Sequence, residues 1–155
     1  MTIAKARRAQ TRIAYGDDVL LWSKQQAQAL REARFADLDI EHLADEIEDV
    51  GKAEKRELAS RLAVLLGHLL KWRFQPNKRS KSWRTTIGLQ RRRVGLAVKA
   101  TPSLKAVMRD EDWREAVWLD AVALAAKETG RPEDEFSDAP PWPFEKACEP
   151  DFWPD

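Results

Sequence analysis

The clearest pattern of apolar positions lies in the middle of the chain. Apolar residues there recur at alternating spacings of four and three, which is typical of the buried face of a helix. Pro76 cannot continue that helix, and a second repeat with the same spacing follows the proline. We therefore predict a central antiparallel hairpin of two helices, whose buried positions are Leu58, Leu62, Leu65, Leu69 and Trp72 before the loop and Trp83, Ile87, Gln90, Val94 and Ala97 after it.

Two tryptophans flank the loop of this hairpin. Trp72 lies about one turn before the loop, and Trp83 lies about one turn after it. In an antiparallel pair these two positions fall in the same layer. Both indoles are therefore predicted to be largely buried close to the loop.

Two further helices are predicted before the hairpin. Asp17 or Asp18 can cap a helix that runs to about Arg34. A short acidic helix follows, and Gly51 is predicted to stop it. The predicted apolar faces are Leu21, Trp22, Leu30 and Ala33 in the first helix and Ile40, Leu43, Ile47 and Val50 in the second.

The chain after the hairpin divides into helix and tail. A short helix is predicted to begin at Thr101-Pro102-Ser103, and a last helix ends at Gly130. Six prolines among residues 131–155 argue against a regular element there. The last helix is expected to bury Trp113, Val117, Ala121 and Leu124, and the tail is expected to be anchored by Trp142, Phe144, Phe152 and Trp153.

The expected architecture is all-α, a single-domain bundle of about five helices around the central hairpin. Residues 1–14 are expected to form a flexible arm, residues 15–130 the bundle, and residues 131–155 a Pro-rich tail packed on it. No apolar run approaches the roughly 18 residues that a membrane span needs, and the start resembles no secretion signal. A cytoplasmic protein without membrane contact is expected.

The formal net charge of +1 conceals an uneven distribution of charge along the chain. Residues 58–109 contain 13 basic side chains and no acidic one, whereas residues 110–155 contain 14 acidic and 4 basic side chains. A basic block can form a nucleic-acid surface. The favoured interpretation is that acidic segments neutralise it within the fold, which makes nucleic acid the less favoured partner.

Several polar and aromatic side chains fall beside the predicted apolar faces. Glu46 flanks the stripe of the second helix, so it should pair with a cation of the hairpin, with Arg91 as the first choice and Arg84 or Lys71 as the others. His68 has a pKa near physiological pH and could serve as an acid or a base, although a packed structural histidine is favoured. The candidate polar site comprises Glu46, His68, Lys71, Trp72, Trp83, Thr86, Gln90 and Arg91.

Metal and cofactor chemistry have little support in the sequence. His42, Asp45, Glu46 and Asp49 share one helical face, but acidic helix faces are common, and no metal site is assigned. Cys148 is the only cysteine, which excludes a disulfide within the chain. No phosphate loop and no nucleophile next to a base is found, so no catalytic residue and no cofactor are assigned.

A set of short strings runs from residue 15 to about residue 145. They include Leu65 to Trp72, Gln75-Pro76, Ser82 to Ile87, Gln90-Arg91 and Pro102-Ser103-Leu104. Together they resemble a bacterial family known as domain of unknown function 29. The resemblance implies an all-helical fold of about this length with no established activity, and its strings include most of the candidate polar site. Gly67 and Trp118 depart from the family pattern, which concerns local packing only.

Three functions follow from these observations. The leading hypothesis is a non-enzymatic helical interaction module that binds another protein or a second copy of itself. The first alternative is a small enzyme or ligand binder with an interhelical pocket around Glu46, His68 and Arg91. The second alternative is a nucleic-acid binder that uses the basic hairpin of residues 71–93.

Overall fold

The structure is a computed structural model that describes residues 11–155, so most of the predicted N-terminal arm lies outside the described residues. The described chain is all-α, as predicted. Its six α-helices are α1 (Val19–Arg31), α2 (Ile40–Phe74), α3 (Lys81–Ala100), α4 (Leu104–Val107), α5 (Glu111–Thr129) and α6 (Phe144–Ala147). Backbone contacts divide it into two compact units, one up to Gly51 and one from Lys52 to Asp155.

In the first unit, α1 is shorter than predicted, and Trp22 is the one residue of its predicted apolar face that is buried. Asp18 caps it by accepting a hydrogen bond from the Leu21 amide at 2.9 Å. Its buried residues are Trp22, Gln26 and Ala29, whereas Leu21 and Leu30 are exposed. Gln26 is buried because its Oε1 accepts a hydrogen bond from the Asp39 amide at 2.8 Å, which fixes the chain that leads into α2. Hydrogen bonding thus selects the buried face of α1.

Helix α2 corrects the prediction of two separate helices. It runs without interruption for 35 residues, and Gly51 lies inside it. A glycine ends a helix when it takes a positive φ, and among the described glycines only Gly130 does so. The residues after Gly51 are good helix formers, so nothing in the local sequence stops the helix.

The apolar stripe predicted for the start of α2 is largely unburied. Ile40, Ile47 and Val50 are 64%, 70% and 66% exposed. The part of the same helix from Leu58 to Trp72, in contrast, is buried at each predicted stripe position. One stripe therefore has a covered half and an uncovered half.

The core of the second unit combines α2, α3, α5 and the C-terminal segment. Leu58, Leu62, Leu65 and Leu69 are fully buried in α2, and Ile87 and Val94 face them from α3 within the same cluster. Gly67 lets α5 approach closely, since a Cβ at this position would lie 2.6 Å from Leu124 Cδ2 and 3.3 Å from the Ala121 carbonyl oxygen. The C-terminal segment adds Phe136, Phe144 and Ala147.

Candidate functional site

Arg91 is the one arginine of the candidate polar site, and it is buried. It lies on α3, is only 8% exposed, and points its guanidinium at the backbone of the C-terminal segment. Its Nε donates to the Ala147 carbonyl at 2.9 Å, one terminal nitrogen donates to the Pro150 carbonyl at 3.0 Å, and the other donates to the Phe152 carbonyl. The predicted partner was a carboxylate. Arg91 instead caps carbonyl groups near the end of the chain.

Trp153 lies among aromatic and cationic groups of α2 and α3. Its ring centroid is 4.6 Å from that of Trp72, and the guanidinium carbons of Arg91 and Arg84 lie 5.2 and 5.5 Å from its ring. Cations over an indole ring are attracted to its negative face. We call Trp72, Arg84, Arg91 and Trp153 the tail-binding cluster.

Lys71 and the predicted pair of tryptophans lie next to this cluster. Trp72 is 5% exposed, as predicted, whereas Trp83 is only partly buried. Lys71 lies over the less buried indole: its Nζ is 4.6 Å from the centre of the Trp83 ring, and it also forms an ion pair with Glu128 of α5. A charged ammonium group needs both partners at a buried position.

His68, Thr86 and Gln90 complete the candidate set in the second unit. The His68 Nδ1 lies 2.9 Å from the Val64 carbonyl, one turn earlier in α2, and burial lowers the pKa of His68 from its ordinary value. Thr86 and Gln90 are partly buried on α3, and Gln90 Oε1 has no hydrogen-bond partner among the described residues. No hydrogen bond within residues 11–155 joins His68 to Arg91.

Glu46 belongs to the first unit and has a partner there. The Tyr15 hydroxyl donates to Glu46 Oε1 at 2.6 Å, and this hydrogen bond raises the pKa of Tyr15. The Tyr15 ring stacks on His42 with centroids 4.3 Å apart and meets the Trp22 ring edge-on at 4.9 Å. Sequence reasoning missed the role of Tyr15, although the strings that resemble the family begin at this residue.

Asp39 organises the other side of the same group of rings. Its Oδ2 lies 2.8 Å from His42 Nδ1 and accepts a hydrogen bond from Trp22 Nε1 at 3.2 Å. Burial alone would raise the pKa of Asp39, but the hydrogen bonds from His42 and Trp22 lower it below its ordinary value. These contacts hold α1 against the side of α2 that carries His42 and Glu46, and they leave the apolar stripe of α2 uncovered.

Two surfaces carry exposed apolar residues among charged side chains. The charged side chains are acidic around one surface and basic around the other. The first, here called the exposed stripe of α2, consists of Ile40, Ile47 and Val50. Residues 40–51 around it contain five acidic side chains and no lysine or arginine.

The second surface lies on α3 and is here called the basic face of α3. Its leucines, Leu89 and Leu96, are 40% and 60% exposed. At 100° per residue they lie opposite the buried Ile87 and Val94. Its cations are Arg92, Arg93 and Lys99, which flank the two leucines and are exposed.

The second unit also contains an open groove of about 640 Å³ beside the start of α5. Trp118, Trp142 and the prolines at 140, 141 and 143 supply apolar walls. The charged residues that line it carry both signs and are Arg109, Arg114, Glu111, Glu115 and Asp138. The groove therefore favours neither anions nor cations.

The described part of the chain contains neither a candidate metal site nor a membrane-spanning helix. No group of three histidine, cysteine or carboxylate side chains is arranged to hold a metal ion within residues 11–155. No helix in the same range is both long and apolar enough to cross a membrane.

The fold and these contacts define a small all-α protein in which a buried arginine, Arg91, fastens the C-terminal segment. Residues 14–153 match the sequence model of a family described as "Domain of unknown function DUF29". The match covers nearly the whole chain, so the protein belongs to this family. No curated protein and no solved structure matches it significantly.

Proposed function

We propose that this protein is a non-enzymatic helical interaction module that binds another protein or a second copy of itself through the exposed stripe of α2. The observation that carries this proposal is the change in burial along one helix. The stripe is fully covered from Leu58 to Leu69 and is about two-thirds exposed at Ile40, Ile47 and Val50. Contiguous exposed apolar side chains at helical spacing are characteristic of helix-docking surfaces.

The charges around the stripe indicate what kind of partner it takes. Five carboxylates and no lysine or arginine lie in residues 40–51, so a partner helix with basic side chains beside its apolar face is attracted, and an acidic one is repelled. The buried cations support a non-enzymatic role. Arg91 and Lys71 are both engaged in holding the fold together, through backbone carbonyls and through Glu128 respectively.

The test uses two synthetic helical peptides, each with leucines seven residues apart. Arginines flank the leucines in one peptide, and glutamates flank them in the other. Fluorescence anisotropy at low protein concentration should show binding of the arginine peptide only, with an affinity that falls as salt rises. Ile47→Asp should weaken binding at least about tenfold, because it places a charge at the centre of the apolar contact.

Leu20→Asp is the matched control, since Leu20 is 64% exposed, lies on α1, and gains the same charge. It should bind the arginine peptide as the wild type does. Equal binding of both peptides, or an Ile47→Asp variant that binds as tightly as the control, would contradict the proposal.

A further inference from the structure

We propose that the partner of the exposed stripe of α2 is a second copy of this chain, which contributes the basic face of α3. This inference rests on the proposed function, because it uses the same docking surface. It adds the identity of the partner and the residues that the partner supplies.

The two surfaces match in spacing. Ile40 and Ile47 are seven residues apart on α2, and Leu89 and Leu96 are seven residues apart on α3. Seven residues span two helical turns, or about 10 Å, so the two pairs can meet when the helices lie side by side. Both pairs are exposed in the described chain, so both are available to a partner.

The two surfaces also match in charge. The exposed stripe lies in an acidic stretch of α2, whereas Arg92, Arg93 and Lys99 border the leucines of α3. Neither Arg92 nor Arg93 has a hydrogen bond or ion pair within residues 11–155, so their guanidinium groups can bind carboxylates of another molecule. Opposite charges at the rim of a contact favour one partner and one register.

Other occupants fit less well. Two copies that paired through their α2 stripes would bring two acidic surfaces together, and like charges across a contact are destabilising. A nucleic acid would meet Arg92 and Arg93, but stacking on bases requires exposed rings. Trp72 is buried, and Lys71 covers the Trp83 ring, so this part of the chain offers leucines in place of free indoles.

Each copy carries both surfaces, which determines the possible assemblies. Two copies that exchange contacts reciprocally form a closed dimer with two identical interfaces. Copies that bind head to tail without closing form longer chains. In either case, reversing the charge of one surface disrupts assembly, and reversing both surfaces together restores the attraction.

Sedimentation velocity of the full chain, from about 1 μM to about 1 mM, tests this inference over the range expected for a small contact. Arg92→Glu with Arg93→Glu should raise the self-association Kd at least about tenfold. Glu41→Lys with Glu54→Lys should do the same, because Glu41 directly follows Ile40 and Glu54 lies on the line of the stripe one turn beyond Val50. The quadruple variant should return to within about threefold of the wild-type Kd.

Lys78→Glu with Lys105→Glu is the control for net charge, since both lysines are exposed and lie outside the basic face. It should associate like the wild type. A wild-type chain that stays monomeric at about 1 mM overturns the inference, while binding of the arginine peptide would still support the proposed function. A monomer that binds duplex DNA through Arg92 and Arg93, with a steep salt dependence, would assign the basic face to nucleic acid instead. A quadruple variant no better than either double variant also overturns the inference.

Discussion

Arg91 joins α3 to the last residues of the chain, and its replacement by methionine tests how strongly that segment depends on it. Methionine keeps an unbranched apolar stem but removes all of the donors. Three hydrogen bonds are lost, to the carbonyls of Ala147, Pro150 and Phe152. A net contribution of about 1 kcal/mol for each bond gives an expected loss of about 3 kcal/mol in the free energy of unfolding.

Chemical denaturation followed by circular dichroism measures this change, with Arg92→Met as the matched control. Arg92 is exposed on the same helix, so its replacement should change the free energy of unfolding by less than about 0.5 kcal/mol. Arg91→Lys should fall between the two, because an ammonium group keeps the charge but lacks the planar fork that reaches three carbonyls.

Limited proteolysis separates local from global effects of the Arg91 replacement. Cleavage within residues 142–155 should accelerate in Arg91→Met before the helices unfold, since the segment loses its main polar attachment. An Arg91→Met variant within about 1 kcal/mol of the wild type, with an equally protected C-terminal segment, would refute this account of the tail-binding cluster.

Three further predictions concern two glycines, Cys148 and His68. Gly95→Ala should stabilise the fold by up to about 1 kcal/mol, because the added Cβ enters open space. Gly67→Val should destabilise the fold by about 1–3 kcal/mol, because the new side chain collides with Leu124. Thermal unfolding of the two variants and the wild type measures both changes. Burial raises the pKa of the Cys148 thiol to about 11, so alkylation by iodoacetamide at pH 8 should be on the order of a hundredfold slower in the folded than in the unfolded chain. Because burial lowers the pKa of His68, this side chain binds a proton more readily in the unfolded chain than in the folded one. Stability should therefore fall as the pH drops below about 6.5, and less so in His68→Gln, as urea titrations at several pH values can show.

The sequence predicted the elements whose apolar spacing is long and regular. The stripe from Leu58 to Trp72 is buried as expected, and the helix predicted after Pro76 is present as α3, which Ser80 caps by accepting a hydrogen bond from the Trp83 amide. Local periodicity was sufficient at these positions. It failed at Gly51, because a glycine ends a helix only when the following backbone turns away, and no residue there requires such a turn.

The polar contacts were harder to predict, because they depend on distant parts of the chain. Arg91 meets carbonyls 56 to 61 residues away, and the Tyr15 hydroxyl meets a carboxylate 31 residues away. The composition indicated that the lysines and arginines of the hairpin needed hydrogen-bond acceptors, and carboxylates were the expected acceptors. Backbone carbonyls have no sequence signature, so an arginine that binds them cannot be recognised from residue types alone.

The contribution of the C-terminal segment to the core has a consequence for how the protein is made. Phe144 and Ala147 are fully buried, and Trp153 contacts Trp72, which precedes it by 81 residues. These contacts cannot form until Phe144, Ala147 and Trp153 have left the ribosome, so a nascent chain that has reached only Gly130 exposes apolar surface intended for them. Completion of the core therefore waits for residues 144–153, and a chain that stops before them is a natural substrate for chaperones and proteases.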